Sequence, residues 1–280
     1  MTSKKLNILV PTDFSDNAAN ALHYALKLYA NQQCVFYVLH STYVDEAVTR
    51  AFGAAYVDDN ENKAATNTMN ALIAQTGLAN ANAKHEFIAL QSKKEIKTAV
   101  KKAVKKNAID MVVMGTKGTT GAVEYLMGSN TIKVIRNIGG CPVLILPDGF
   151  AYVQPNQIAF PTDFKRNYEI KELQALKDLS DLYGSKIRIV HVKVNNNLSE
   201  TQEIHMNILK NYLEDYEHSF DWLPDTSTKS KAIAAFIEDQ KIDMLAMVNY
   251  KHGMLENILK EPVIKKLAFH PTIPILVIPK

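Results

Sequence analysis

Cysteine is scarce in this chain, two of 280 residues. Cys34 and Cys141 fit no metal or redox spacing. Both read as small buried apolar residues, and so little cysteine suits a reducing compartment. None of the eight histidines forms HExxH or another close metal pair. No apolar run reaches the roughly 20 residues a membrane helix needs. Residues Met1 to Lys5 lack the apolar core of a signal peptide. The expectation is a cytoplasmic chain with no membrane partner. An excess of one charge is also missing: 32 basic against 29 acidic residues give +3. That balance argues against a nucleic-acid partner, which calls for a concentrated basic stripe. The lysines from Lys93 to Lys106 have the spacing of the wet face of an amphipathic helix. The single tryptophan, Trp222, is expected to be half-buried packing on a strand.

What is present is an ordinary globular composition, 47% hydrophobic and 22% charged, in a chain long enough for two domains. It repeats itself. Val10-Pro11-Thr12-Asp13-Phe14 returns as Phe160-Pro161-Thr162-Asp163-Phe164, and Val38-Leu39-His40 as Ile189-Val190-His191. Ile109-Asp110-Met111 returns as Ile242-Asp243-Met244, and Pro142 to Pro147 as Pro274 to Pro279. Asp13 and Asp163 lie 150 positions apart but Asp110 and Asp243 only 133, so the second copy is shorter by 17. The missing piece corresponds to the stretch around Tyr43 to Asp59. A Gly- and Pro-punctuated seam over 148–156 sets the expected domains at 1–150 and 151–280.

Each copy alternates short apolar runs with helical patterns. In the first, Leu6–Val10, Cys34–Leu39, Phe87–Leu90, Ile109–Met114 and Val143–Leu146 read as strands covered on both faces. Ser15 is placed to cap a helix whose apolar positions are Ala18, Leu22, Ala25, Leu26 and Tyr29. Residues 95–106 put Ile96, Ala99, Val100 and Ala103 on one face. The second copy has strands near Gln157–Phe160, Lys186–His191, Phe220–Leu223, Ile242–Met247 and Pro274–Ile278. Such alternation predicts α/β architecture, a parallel sheet in a three-layer α/β/α sandwich, twice over.

The strand ending at Met114 runs into Gly115-Thr116-Lys117-Gly118, then nine residues, then Gly128-Ser129-Asn130-Thr131. Glycines let a backbone approach an anion, and a helix opening at the second cluster offers free N–H groups and a favourable dipole. Ser129 and Thr131 add hydroxyls. This G-x2-G-x9-G-[ST] pattern resembles the ATP-binding branch of the universal stress protein family. Ile8 to Ser15 looks like that family's first strand and Asp-bearing loop, and Cys141 to Pro147 like its last strand.

The resemblance implies five-stranded parallel sheets of the adenine nucleotide alpha hydrolase-like type, strand order 3-2-1-4-5. In such open sheets ligands sit where the order reverses, between strands one and four, where Asp13 and Gly115 converge. It further implies that Asp13 bonds a ribose, Pro11 and Thr12 shape the adenosine pocket, and Ser41 meets adenine through its backbone. Met114, Gly115 and Gly118 would line the ribose and first phosphate. Gly128, Ser129, Asn130 and Thr131 would hold the outer phosphates. ATP is the implied ligand, with ADP or AMP as variants, and Mg2+ or Mn2+ riding on the phosphates. Gln91-Ser92-Lys93 stand where the family often has Gly-x-Pro. In the second copy Met247 to Gly253 replace the glycine segment and Lys260-Glu261-Pro262 the phosphate-binding turn, so that copy is expected to be degenerate.

Three functions remain open: a nucleotide-binding stress or regulatory protein acting through an unknown protein partner; a slow ATPase or transferase at the same site; a scaffold binding no nucleotide. There is no Walker A lysine, GxSxG elbow or kinase signature, and no carboxylate or histidine is visibly placed to activate water, so no catalytic residue is assigned. The last strands of the two copies are expected to pair within one chain, making it a pseudo-dimer, with a homodimer as a further option.

Overall fold

The first repeat is built around β1 (Leu6–Thr12), whose Ile8, Leu9 and Val10 are fully buried. A strand covered on both faces must be apolar at consecutive positions rather than alternate ones. The computed structural model describes residues 4–43, 59–116, 128–193, 197–224, 228–249 and 272–279. In it β1 pairs in parallel with β2 (Cys34–Ser41), Ile8 opposite Phe36, and with β4 (Met111–Gly115), Ile8 opposite Met111. Next come β3 (His85–Ser92), parallel to β2, and β5 (Val143–Leu146), beside β4. The order is therefore β3-β2-β1-β4-β5, as expected, with its reversal between β1 and β4.

Among the described residues four helices connect these strands: α1 (Asp16–Leu28), α2 (Asp59–Ala79), α3 (Ile96–Lys106) and α4 (Ser129–Asn137). Right-handed crossovers put α1 and α2 on one face and α3 and α4 on the other. Accordingly α1 packs on β1 and β4, α2 on β3 and β2, and α3 against α4. Ser15 caps α1 as expected, its hydroxyl accepting from Ala18 N. The buried face of α3 is Ala99, Val100 and Ala103. Helix α2 had no clear periodic signature. Of the residues with a described side chain it sinks chiefly Met69 and Thr76, too few to print a stripe on the sequence.

The second repeat follows the same order, β8-β7-β6-β9-β10, from β6 (Gln157–Pro161), β7 (Lys186–Lys193), β8 (His218–Pro224), β9 (Met244–Asn249) and β10 (Ile275–Pro279). All its pairings are parallel. Its helices among the described residues are α5 (Ile170–Tyr183), α6 (Glu200–Tyr212) and α7 (Lys229–Asp239). One core cluster joins Ala159, Val190, Leu245 and Ile275 of the sheet to Ile233, Phe236 and Ile237 of α7. By compactness the chain divides at 143/144, inside β5.

Both cysteines are buried free thiols, and burial pushes each up to about 12. Neither is a nucleophile at neutral pH. Trp222 lies on β8, 39% exposed, with its ring edge to His191 at 5.3 Å.

Candidate functional site at the strand-order reversal

The Asp13 loop is held by contacts that the sequence dictates locally. Thr12 Oγ1 accepts from Phe14 N at 3.0 Å, and His40 Nδ1 donates to Thr12 O at 2.9 Å. Phe14 sits in the left-handed region, φ 64°, with its ring 4.3 Å from the His40 ring. A phenylalanine adopts this conformation only where its surroundings fix it. The result is a sharp exit from β1 that turns Asp13 toward the start of α1. There Asp13 Oδ1 accepts from Ser15 N at 3.1 Å and from Ser15 Oγ at 2.6 Å. His40 thus serves the loop's shape.

Met114 and Gly115 end β4, buried among their neighbours. Thr131 Oγ1 donates to Gly115 O at 2.9 Å, and Gly128 N donates to Thr116 O. These two bonds tie the glycine segment after β4 to the glycine that caps α4. Thr131 is 2% exposed; its hydroxyl, as placed, locks the two segments together. Ser129 and Asn130 are exposed at the N-terminus of α4, where helical N–H groups lack intrahelical partners. Gly118 lies outside the described residues, as do Lys251 to Gly253 and Lys260 to Pro262 of the second copy.

Ser41 ends β2, its hydroxyl donating to Lys94 O at 2.7 Å. Close to α4, Glu95 takes Lys133 at 2.8 Å and Lys97 at 2.9 Å. Lys133 first and Lys97 second hold its carboxyl below the usual range.

One residue of this region was not foreseen. Asn17, in the first turn of α1, is buried against Gly115: a Cβ on Gly115 would lie 2.1 Å from Asn17 Oδ1 and 2.7 Å from its Cγ. A side chain at 115 would have to displace the Asn17 amide. The signal was present, since Asn17 falls on the helical stripe of Ala21, Tyr24, Ala25 and Leu28, all buried. A polar residue on an apolar stripe marks either a satisfied core contact or a site.

A separate cavity of about 360 Å³ lies between α1 and α2, floored by Val10 and Val38 and walled by Leu22 and Leu72. Among the described residues none of the glycine segments lines it, although Thr12 and Phe14 do. Among the described residues no cluster of three metal-ligating side chains occurs, and no helix is long and apolar enough to cross a membrane.

The Universal stress protein family model matches residues 6–147, and the chain belongs to that family. No curated protein matches the sequence. Among solved structures the chain is similar to a universal stress protein from Archaeoglobus fulgidus DSM 4304, at 17% identity and TM-score 0.69 over 98% of this chain and 96% of that one. It is also similar to a functionally unknown protein from Pseudomonas aeruginosa PAO1, at 13% identity and TM-score 0.62 over 98% and 92%. A third is the cytoplasmic domain of a prokaryotic cation chloride cotransporter, at 9% and TM-score 0.60 over 98% and 95%. At such identities the likenesses establish the fold and leave the site to be argued from its residues.

Proposed function

We propose that the first repeat binds ATP, one molecule per chain, and that the protein is a regulatory nucleotide-binding member of its family working through a protein partner in the cytoplasm. The observation that carries this is convergence. The Asp13 loop, Gly115 at the end of β4, and the open N-terminus of α4 at Gly128 to Asn130 meet where the strand order reverses. The Thr131–Gly115 bond holds two of them in fixed relation. That crevice is where open α/β sheets take ligands, and a glycine-edged helix N-terminus favours phosphate. Asp13, an acceptor, suits sugar hydroxyls, while Ser129 and Asn130 offer backbone donors. A divalent cation would be carried on the phosphates with water as its other ligands. The same fold also serves as the cytoplasmic domain of a transporter.

The test is the nucleotide content of the purified protein, read by heat release and chromatography and followed by calorimetric titration with ATP. About one ATP per chain is expected, retained rather than consumed. Bound ADP with steady consumption of added ATP would move the reading to a slow ATPase. An empty protein that gives no heat with ATP would sink it.

A further inference from the structure

Asn17 is 6% exposed, and neither its Oδ1 nor its Nδ2 has a hydrogen-bond partner among the described residues. Buried amides are almost always bonded, because an unpaired one has lost its water and gained nothing. The adjoining buried positions of its helix, Ala18 and Ala21, carry no polar side-chain atom. The amide lies against the last residue of β4 and four positions from Asp13, beside the reversal point.

The second repeat supplies the contrast. Asn167 stands at the matching offset, but it is exposed in the stretch before α5, and its carbonyl accepts from Arg166 Nη1 at 3.3 Å. The buried polar side chain in the first turn of α5 is Glu172, which accepts from Glu169 N at 2.8 Å and pairs with Arg166, so the second repeat answers its buried group where the first leaves the Asn17 amide open. The open amide belongs to the repeat that carries the glycine motif.

We propose that Asn17 reads the sugar of the bound nucleotide, donating to and accepting from ribose hydroxyls; this rests on the ATP-binding reading above. The chemistry selects the hydroxyl. An amide has both donors and an acceptor, and a phosphate offers only acceptors, leaving Oδ1 unanswered. A phosphate would also face the Asp13 carboxylate. A hydroxyl donates and accepts, so a vicinal diol can serve Asn17 and Asp13 together. Sites built to bond a hydroxyl reject analogues that lack it, because their own buried groups are then left unpaired.

The experiment titrates the full chain with ATP, 2′-deoxyATP and 3′-deoxyATP. Wild type is expected to bind ATP at least about tenfold more tightly than one of the deoxy forms. In Asn17→Ala that ratio should fall to near one, with ATP still bound. Asn17→Leu keeps the volume without the polar atoms and should give the same collapse; it stands in if the alanine variant fails to fold. A purely structural Asn17 would weaken all three nucleotides by one common factor. An unchanged ratio in both variants, or a wild type that does not discriminate, overturns the assignment while leaving ATP binding intact. A wild type that binds none of the three overturns the ATP reading, and this inference with it.

Discussion

The two repeats keep the same frame and differ at the place where a ligand would sit. Thr162 Oγ1 accepts from Phe164 N at 3.1 Å, and His191 Nδ1 donates to Thr162 O at 2.9 Å, as Thr12, Phe14 and His40 do in the first repeat. Phe164 is likewise left-handed, φ 54°, and its ring stacks on His191 at 5.0 Å. At the other end of the sheet, Asp110 Oδ2 accepts from Asn7 N at 2.8 Å and Asp243 Oδ2 from Gln157 N at 2.9 Å. Ala108 and Lys241, two residues earlier, share a positive φ. Residues found in both repeats thus make strand-end turns. The differences are Ser15, capping α1 with Asn17 buried in its first turn, in one, and Lys165 with an exposed Asn167 ahead of a later helix in the other. A motif kept in both copies reports the fold, and a feature kept in one reports the site.

The largest expected effect tests what replaced the first repeat's cap. Helix α5 starts later, with Glu172 3% exposed, accepting from Glu169 N at 2.8 Å and paired with Arg166 at 3.2 Å. Removing one partner of a buried pair strands the other charge. Arg166→Met should therefore cost about 3 kcal/mol, read by urea unfolding of the whole chain, with nucleotide affinity unchanged. A loss below about 1 kcal/mol would mean that Glu172 finds water or another donor, and that the pair does not anchor this helix.

Next is Gly115→Ala, which drives a methyl into the Asn17 amide and to 3.2 Å from the Asn17 carbonyl. Overpacking of this kind costs about 1–3 kcal/mol. In an Asn17→Ala background the penalty should shrink, because only the backbone contact remains; a double-mutant cycle measures the coupling. Additive losses would show that Gly115 is required for some reason other than Asn17. The smaller Ser15→Ala change removes the α1 cap, about 1 kcal/mol, and also frees Asp13 Oδ1 from a 2.6 Å bond. Stability and nucleotide affinity should fall together. Affinity holding steady while the melt shifts would separate the cap from the ligand loop.

Much of this was legible because it is local. Strands buried on both faces print as unbroken apolar runs, a cap prints as a serine before a helical stripe, and a repeated turn prints as Pro-Thr-Asp-Phe. The strand order came from family resemblance, since periodicity carries no information on which strand lies beside which. What escaped was tertiary. That Thr131 bonds Gly115 depends on two segments 16 positions apart meeting in space. Asn17 looks like any first-turn asparagine until Gly115 is brought beneath it. Helix α2 was missed because few of its described side chains are buried, Met69 and Thr76 chief among them, so it carries little amphipathic pattern.

The first repeat also carries a pH dependence of its own. His85 opens β3 at 8% exposure, its Nε2 3.1 Å from Tyr29 O and its Nδ1 2.8 Å from Asn80 Nδ2. The shorter contacts, a carbonyl that accepts at Nε2 and an amide nitrogen that donates to Nδ1, suit a neutral ring with its proton on Nε2. Burial, ahead of the opposing Tyr29 bond, holds its pKa below the ordinary 6.5. The folded state therefore binds this proton less readily than the unfolded chain. Stability is fully present above about pH 6.5, falls as the pH drops toward the lowered folded value, and levels off beneath it. His85→Gln retains a donor and an acceptor but does not titrate, and should flatten that part of the profile in urea melts taken between pH 7.5 and roughly pH 5. A slope equal to that of wild type would place the titrating group elsewhere in the chain.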